Sequence, residues 1–240
     1  MFKTELEISE LDFIDKIVAT SWLLVGNSII VKRVIQKVYK EYSRGKKILD
    51  IGCGTGNFSL FLNSLGKVFG VDRSYEALLH CRKKGIKQIL QADAPSLPFK
   101  NDCFDTIILL DVIEHIDDDK ALVSETHRLL KNGGHVFIMV PAFNVLWGSH
   151  DVRFYHKRRY TKTSISRLAS LVDFKIEKII YLHPHIFPFM LFYRYIDRRR
   201  KGFGKRHDNI LLPKIINDFL TWTIRIENLF LERINERVDN

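Results

Sequence analysis

The sequence of 240 residues has few of the features that mark secreted, disulfide-rich or membrane-spanning proteins. Its three cysteines, Cys53, Cys81 and Cys103, have no CxxC spacing, so neither a disulfide framework nor a zinc ribbon is indicated. The amino terminus reaches acidic residues before any apolar stretch long enough for a signal peptide, and we therefore expect a cytoplasmic protein. Three uncharged stretches are shorter than the roughly 20 apolar residues of a membrane span or are broken by Gly, Pro or Asn. These are residues 17–31, 132–150 and 179–193.

The composition is that of a globular chain with one sizeable core. Hydrophobic residues make up 46% of the sequence and charged residues 28%, which excludes a disordered tail or a collagen-like rod. The net charge of +10 is unevenly distributed: residues 1–150 carry 19 Lys+Arg against 18 Asp+Glu, whereas residues 151–240 carry 19 against 10. The basic carboxyl-terminal part indicates an anionic partner.

Short apolar runs alternate with amphipathic ones from residue 46 to about residue 181, which predicts an α/β fold with a mostly parallel sheet and helices on both faces. We expect one domain, residues 1–240, in which an N-terminal helical segment (1–45) and a basic, apolar helical C-terminal segment (183–240) flank an α/β core (46–182). The glycines of Asn132-Gly133-Gly134 predict a turn between a helix and a strand. Strands are predicted at 47–51, 68–71, 88–91, 104–110, 135–140 and 174–181, and helices at 57–65, 75–84, 120–130 and 164–171, the last behind a Thr163 cap.

A glycine-rich turn with Gly52, Gly54 and Gly56 lies directly after the first predicted strand and before a helix. Glycine there lets the backbone come close to a ligand. A dinucleotide-binding GxGxxG would need glycine at the position of Asn57, so a nicotinamide-dependent oxidoreductase is disfavoured. A phosphate-binding Walker loop is excluded because no Gly-Lys-Ser/Thr follows.

Two acidic residues follow the next two predicted strands. Asp72 stands where a carboxylate can accept both hydroxyls of a ribose, and Asp93 stands where a carboxylate can take the exocyclic amine of an adenine. Because the carboxyl ends of parallel strands share one edge of the sheet, the glycine turn and these two acids form one ordered set. The set predicts a nucleoside ligand without a pyrophosphate.

These motifs resemble those of the class I S-adenosylmethionine-dependent methyltransferases. The resemblance extends over about residues 45–182 and implies a Rossmann-like fold, with S-adenosylmethionine as cofactor and S-adenosylhomocysteine as product. The family's seventh, antiparallel strand has no convincing counterpart after Arg206. The segments that carry the resemblance are 49–56, 71–72, 92–94 with 97–99, 104–115 and 129–134; segments 140–143, 147–151 and 156–160 resemble a bacterial and archaeal subgroup of unassigned acceptor.

The resemblance also implies which residues hold the cofactor. The glycine turn would shape the pocket for the methionine part, Asp72 would hold the ribose, Asp93 and Ala94 the adenine, and Asp111 would lie beside the methionine end. The predicted cofactor-binding residues are Asp50, Gly52, Cys53, Gly54, Gly56, Asp72, Arg73, Asp93, Ala94 and Asp111.

A polar segment after the fifth predicted strand is the candidate acceptor site. We expect His150 or His156 to act as a base, and Arg158, Arg159 and Tyr160 to bind the acceptor, the arginines by pairing with an anionic group. The alternative is a solvated loop whose Arg and Tyr side chains pack on the core.

The cluster Asp111, Glu114 and His115 contains metal-ligand residue types. Three scattered oxygen and nitrogen groups do not define a cation site. From the sequence we therefore predict no metal site and expect Glu114 and His115 to orient loops near the cofactor.

The C-terminal segment combines an aromatic run, residues 186–193, with a basic run, residues 198–206. This pattern is typical of an element that contacts an anionic membrane surface, and it suits a lipid-linked or other small-molecule acceptor at the inner membrane face. Core packing with a solvated charge run, or a dimer interface, are the alternatives, and the oligomeric state is open. Nucleic acid is a weaker candidate because no RNA-binding module is recognisable. A non-catalytic protein that binds a nucleoside or associates with a membrane is the alternative to an enzyme.

Overall fold

The computed structural model describes residues 22–40, 45–199, 218, 220–224 and 226. Five parallel strands form one sheet in the order β3-β2-β1-β4-β5. The strands are Lys47–Ile51 (β1), Lys67–Asp72 (β2), Ile89–Gln91 (β3), Phe104–Leu110 (β4) and Leu130–Met139 (β5). The helices are Trp22–Lys40 (α1), Asn57–Leu62 (α2), Tyr75–Lys83 (α3), Asp119–Leu129 (α4), Ser149–Arg153 (α5), Lys162–Ala169 (α6) and Phe187–Arg199 (α7), with short 3-10 turns at Ile113–His115, Asn144–Leu146 and Ser170–Val172.

The sheet is covered on both faces, as the α/β prediction requires. On one face, Leu49 of β1 and Leu109 of β4 pack with Leu122 of α4. On the other face, Ile48 of β1 packs with Ile35 of α1. Successive residues of a strand point to opposite faces, so the near-continuous apolar run of β1 is buried from both sides.

Side-chain caps fix where three helices begin. The Ser74 hydroxyl accepts the backbone N–H of Ala77 at the start of α3, and the Asp118 carboxylate caps α4 in the same way. The predicted cap of α6 is wrong by two residues, because Thr161 and not Thr163 accepts the N–H of Ser164. Thr161 has the extended backbone that a cap needs. Its backbone N–H donates to the Ser164 hydroxyl in return.

The predicted strand at residues 174–181 is wrong, and the described sheet ends at β5. The segment lies close to the sheet, since Glu177 is 3.4 Å from His135 of β5, but it makes no strand ladder. Its alternating apolar residues are not buried as a strand face would be, and Ile176 is 41% exposed. The alternation of apolar and polar residues therefore predicted a strand in a segment that does not pair with the edge of the described sheet.

The two flanking segments contain the predicted helices. Ile186, just before α7, packs against Ile224, and Ile224 lies so close to Gly26 of α1 that a Cβ there would be 2.6 Å from its Cδ1. Most of the basic run and of the late helical pattern, including any seventh strand after Arg206, lies outside the described residues. Within the described part of the chain, no helix has the length and apolar character needed to cross a membrane.

Candidate functional site

The predicted cofactor residues come together at the carboxyl-terminal edge of the sheet. Gly52 follows β1, Asp72 ends β2, Asp93 follows β3 and Asp111 follows β4. Parallel strands bring these four positions to one edge, which is the edge where open α/β sheets bind ligands. The structure thus places the ordered set in the way that the sequence predicts.

The glycine loop needs its glycines for two different reasons. Gly52, Gly54 and Gly56 all have positive φ, at 71°, 53° and 82°. A Cβ on Gly52 would lie 2.4 Å from the Val112 side chain, so this glycine allows close packing of two loops. A Cβ on Gly54 would meet no atom within 4 Å, so this glycine faces open space at the strand edge. The loop therefore forms a cradle whose open side has room for a ligand.

Asp72 connects the glycine loop to the next βα turn. One carboxylate oxygen accepts the backbone N–H of Gly54 at 2.8 Å, and the other accepts that of Ser74 at 2.8 Å. A carboxylate has about four lone-pair directions, so two acceptor positions remain for hydroxyl groups of a ribose. The half-buried position and the remaining acceptors fit the predicted role.

Asp50 lies beneath the loop rather than on its open side. It is 3% exposed, and its carboxylate accepts a hydrogen bond from the Ser59 hydroxyl of α2. Burial, with a smaller contribution from the negative charge of Asp72, raises the pKa of Asp50 to about 7. The side chain therefore supports the loop from below.

Cys53 also points away from the open side of the loop. Its Sγ lies 3.9 Å from Sγ of Cys81 on α3, and both thiols are buried. The Cys81 thiol donates to the Gly54 carbonyl at 3.1 Å. The Cys53 thiol also contacts the Gly54 carbonyl, at 3.9 Å, and the Cys53 backbone N–H donates to the Val71 carbonyl of β2 at 3.0 Å.

The remaining predicted cofactor residues surround the same edge. Arg73 and Asp93 are exposed and Ala94 is buried. Asp111 is exposed and adopts a φ of 53°, with its N–H bonded to Met139 of β5. Positive φ in a non-glycine residue directly after a strand is uncommon and marks a sharp change of chain direction at this edge.

The ion pair of Glu125 and Arg128, which the sequence did not reveal, holds the predicted adenine loop, residues 92–99, in place. Arg128 of α4 donates to the carbonyls of Leu97 and Phe99 at 3.1 and 2.9 Å, and Glu125 accepts the N–H of Leu97 at 2.8 Å. Glu125 and Arg128 also pair with each other at 2.7 Å. An i,i+3 charge pair on a helix is common, so no sequence signal distinguished this one from a solvent-exposed pair.

Three histidines cluster beside the loop that follows β4. The ring of His156 lies 4.7 Å from that of His115 and 5.6 Å from that of His150. Burial and the neighbouring His156 lower the pKa of His115 to about 4 and that of His150 to about 4. Both rings are therefore neutral near neutral pH.

Asp151 organises this cluster and was missed as a site residue. It is fully buried and accepts hydrogen bonds from His156 at 2.9 Å, from Arg159 at 2.7 and 3.0 Å, and from the Gly148 amide at 2.8 Å. Although burial opposes it, the hydrogen bonds from His156 and Arg159 hold the pKa of Asp151 well below its usual range. Nothing in the local sequence showed that this aspartate, one residue after His150, would be buried.

The basic residues predicted to bind the acceptor are engaged inside the protein. Besides its pair with Asp151, Arg159 donates to the Ala142 carbonyl at 3.0 Å. Arg158 pairs with Asp119 at 2.8 Å, and the Tyr160 hydroxyl donates to the same carboxylate at 3.0 Å. This geometry favours the alternative in which these side chains pack on the core, where they join the loops after β4 and β5.

Glu114 is the most unusual group of the site. It is 0% exposed, and neither of its carboxylate oxygens has a hydrogen-bond partner. Burial and the negative charge of Asp111 raise the pKa of Glu114 to about 8. One ligand-type atom each of Glu114, His115 and His156 lies within 4.8 Å of the others.

Comparison with known proteins relates part of this chain to methyltransferases. Residues 49–138 match the model of a methyltransferase domain family. An uncharacterized protein of Methanocaldococcus jannaschii is 37% identical over 47% of this chain and 52% of its own length. A phosphatidylethanolamine N-methyltransferase of Cereibacter sphaeroides is 31% identical over 40% of this chain and 51% of its own length. The chain thus spans about half the length of these curated relatives.

The fold is also similar to that of solved methyltransferase structures. A crystal structure of an S-adenosylmethionine-dependent methyltransferase from Aquifex aeolicus superposes with a TM-score of 0.53, covering 73% of this chain and 93% of that one at 14% identity. At this identity the likeness concerns the fold alone. The α/β core thus has the fold of this methyltransferase structure, and residues 49–138 within it match a methyltransferase domain family.

Proposed function

We propose that this protein transfers the methyl group of S-adenosylmethionine to a small-molecule or lipid-linked acceptor. The observation that carries the proposal is the glycine loop, which faces open space at Gly54 and is bonded through that residue to Asp72. A close backbone approach beside a carboxylate with free acceptor positions suits a nucleoside with a positively charged tail and no phosphate. When bound, S-adenosylmethionine supplies the methyl group, whose bond to sulfur breaks as the acceptor atom bonds to its carbon.

The protein contributes mainly alignment to such a displacement, because the sulfonium is already a good leaving group. Asp72 would hold the ribose, and Asp93 with Ala94 would hold the adenine, while Asp111 would border the methionine end. Arg128 and Glu125 would keep the adenine loop in place through their bonds to Leu97.

A base is needed only where the acceptor must lose a proton. His150 and His156 are the candidates. His150 is neutral near neutral pH and can accept a proton, and the Asp151 carboxylate holds the His156 ring in one orientation. An acceptor hydroxyl beside one of these rings would pass its proton to that ring as the new bond forms, whereas an acceptor ammonium would have to give up its proton before the bond forms.

The acceptor side of the molecule carries an exposed aromatic stripe on α7. Phe189, Phe192 and Tyr195, spaced three residues apart, are 75%, 65% and 52% exposed. The opposite face of the helix packs inward through Met190 and the buried Arg194. A stripe of large apolar side chains on one helix face is uncommon on the surface of a soluble domain.

Charge next to the stripe favours an anionic lipid surface as its partner. The Arg199 guanidinium lies 4.4 Å from the centre of the Tyr195 ring, and the basic run 198–206 begins at the end of the helix. Apolar side chains that enter the lipid interface beside cations are typical of peripheral membrane elements. A membrane contact at α7 would bring a lipid-linked acceptor to the loops that hold His150 and His156. The relative named for phosphatidylethanolamine supports a lipid acceptor.

Vesicle flotation tests the membrane contact. We expect the protein to float with vesicles that contain anionic lipid, and the double substitution Phe189→Ser/Phe192→Ser to reduce this binding about tenfold or more. Leu171→Ser is a matched control, because Leu171 is 54% exposed but lies outside α7. Absence of binding to both anionic and neutral vesicles would remove the membrane contact.

Transfer of a labelled methyl group to fractionated cell extract tests the reaction itself. We expect label in the lipid or small-molecule fraction, and not in protein or RNA. Equal rates for His150→Ala, His156→Ala and the parent protein on the identified acceptor would rule out a histidine base. Cofactor binding without transfer to any fraction would favour the non-catalytic alternative.

A further inference from the structure

Two of the three cysteines meet beneath the glycine loop, and the proposed methyl transfer gives their sulfurs no role. Cys53 lies in the loop after β1, and Cys81 lies on α3, 28 residues further along the chain. Their Sγ atoms are 3.9 Å apart, and both are free thiols. The third cysteine, Cys103, is half-buried directly before β4. The fold therefore brings together two thiols that lie far apart in the sequence.

Two glycines make room for this thiol pair. A Cβ on Gly56 would lie 2.8 Å from Sγ of Cys81, and a Cβ on Gly70 of β2 would lie 3.0 Å from Sγ of Cys53. The other buried members of the cluster around the sulfurs are aliphatic. Two sulfurs at 3.9 Å are close to van der Waals contact, so no other atom lies between them. The thiols thus face each other directly in an apolar surrounding.

The thiol pair is coupled to the residue at the open side of the glycine loop. The Cys81 thiol donates to the Gly54 carbonyl at 3.1 Å, while the Gly54 N–H donates to Asp72 at 2.8 Å. Cys53 directly precedes Gly54 in the chain, so a movement of Cys53 toward α3 also moves the loop. A chemical change at the sulfurs therefore reaches the surface where the cofactor is expected to bind.

We propose that Cys53 and Cys81 are a redox modification site, at which a reversible disulfide lowers the affinity of the glycine loop for the cofactor. A disulfide bond is about 2.05 Å long, so the two sulfurs must approach by about 1.9 Å. Cys81 then has no hydrogen to donate to the Gly54 carbonyl, and Cys53 is drawn toward α3. The effect on the cofactor rests on the proposed function, whereas formation of the disulfide does not.

Hydrogen peroxide is the oxidant of the proposed step. Its O–O bond breaks as one thiol becomes a sulfenic acid and a water molecule leaves, and the second thiol sulfur then displaces the sulfenic hydroxyl as a second water molecule. One S–S bond forms, and the two thiol hydrogens end in the two water molecules. A small oxidant is needed because Cys53 is 8% exposed and Cys81 is 0% exposed. A dithiol such as dithiothreitol reverses the step by thiol–disulfide exchange.

Cofactor binding and disulfide formation should oppose each other. If the disulfide lowers cofactor affinity by a given factor, bound cofactor disfavours the disulfide by the same factor, because the two equilibria are linked. Saturating S-adenosylhomocysteine should therefore raise, by that factor, the ratio of oxidised to reduced dithiothreitol at which half of the protein is oxidised. An unchanged ratio, despite cofactor binding, would contradict the coupling.

Peptide mass and thiol count test the disulfide without any ligand. Cys103→Ser removes the third thiol, so a disulfide within one chain of this variant joins Cys53 to Cys81. After peroxide treatment of the folded variant, the peptides that contain these two residues should be linked, at about 2 Da below the sum of their masses. Dithiothreitol should restore both thiols. Two thiols that survive peroxide, or that take up oxygen without becoming linked, would overturn the proposal.

Calorimetry with S-adenosylhomocysteine measures the effect on the loop. We expect peroxide, once removed, to weaken binding by Cys103→Ser about tenfold or more, because the loop shifts and loses a hydrogen bond, and dithiothreitol to restore it. Adding Cys81→Ser keeps a hydroxyl donor for Gly54 but removes the disulfide, so peroxide should not change the affinity of this double variant. Adding Cys53→Ser instead provides a second protein without the disulfide if the first does not fold.

The two proposals fail in different ways. Equal affinities of oxidised, linked Cys103→Ser and its reduced form would overturn the control of cofactor binding by the disulfide. Absence of binding by the reduced, folded protein would overturn the assignment of the cofactor site, and with it this control, whereas the peptide masses would still report the disulfide.

Discussion

The carboxylate of Asp72, at the end of β2, accepts the backbone N–H of Gly54, in the loop after β1, at 2.8 Å. This bond holds the glycine loop against the next strand at the edge where the cofactor is expected to bind. The two residues are 18 positions apart in sequence, and the parallel pairing of β1 with β2 brings them together. The loop and the carboxylate therefore act as one unit, and changes to either should affect the cofactor.

Replacement of Gly54 by alanine should weaken cofactor binding more than it destabilises the fold. The substitution forces a Cβ into a positive-φ position, which costs about 1 kcal/mol, and places that Cβ in the open space where the ligand is expected. Gly85→Ala is the matched control, because Gly85 also has positive φ and no neighbour within 4 Å but follows α3. Urea unfolding should show similar losses for both variants, whereas calorimetry should show weaker S-adenosylmethionine binding for Gly54→Ala alone. Equal affinities would mean that Gly54 does not face the cofactor.

Arg128→Ala should raise the dissociation constant of S-adenosylmethionine without a large loss of stability. The guanidinium is partly exposed, but it holds two carbonyls of the predicted adenine loop. Losing those bonds should loosen the loop and weaken binding about 3- to 30-fold, since each hydrogen bond to a charged group contributes about 1.5–3 kcal/mol before the loop relaxes. Lys131→Ala is the control, because Lys131 pairs with Asp105 at the opposite edge of the sheet. Unchanged affinity in Arg128→Ala would show that the loop does not contact the cofactor.

Asp50 should make the protein less stable as the pH rises. Because burial raises its pKa from the ordinary 3.8 to about 7, the folded state binds more protons than the unfolded state between these values. Its contribution to stability is therefore fully present below about pH 4 and is lost as the pH rises through about 7. Asp50→Asn should remove this dependence and gain on the order of 4 kcal/mol relative to the parent protein over that range. If the unfolding free energy of the two proteins changed with pH in parallel, the pKa of Asp50 would not be raised by burial.

The ion pair between Asp151 and Arg159 should be essential for folding of the loops after β5. Asp151→Asn leaves Arg159 with a weaker, neutral partner and should cost about 3 kcal/mol, as breaking a buried pair typically does. The pair of Lys157 with the exposed Asp117 is the control, and Lys157→Ala should leave the unfolding midpoint nearly unchanged. Similar unfolding midpoints for both variants would show that the buried pair of Asp151 with Arg159 does not stabilise the fold.

Patterns of apolar and polar residues predicted the strands whose ends are marked by their own neighbouring residues. The strands 47–51 and 104–110 are confirmed to the residue, because their apolar runs are bounded by polar turns. The segment 174–181 has the same alternation but does not pair with β5, and pairing depends on the edge that it would meet rather than on its own residues.

The cofactor side of the site was predictable from the sequence, whereas the buried carboxylates beside the histidines were not. The glycine loop, Asp72 and Asp93 each follow a strand, so topology alone brings them to one edge. The burial of Glu114 involves contacts between loops more than 30 residues apart, such as the bond from the Lys157 amide to the Glu114 carbonyl. Sequence patterns report which residues lie on a strand end, but they do not report which of two loop carboxylates will be excluded from water.

Calorimetric titration with S-adenosylmethionine tests the central claim most directly, with S-adenosylhomocysteine as second ligand and NADH as a negative control. We expect the parent protein to bind both adenosyl compounds with dissociation constants of roughly micromolar size and to ignore NADH. Asp72→Ala should lose this binding, whereas Asp105→Ala should retain it, although Asp105 also accepts a backbone N–H, that of Lys47. Absence of binding by the folded parent protein, or equal binding by Asp72→Ala, would contradict the assignment of the strand-edge site to S-adenosylmethionine.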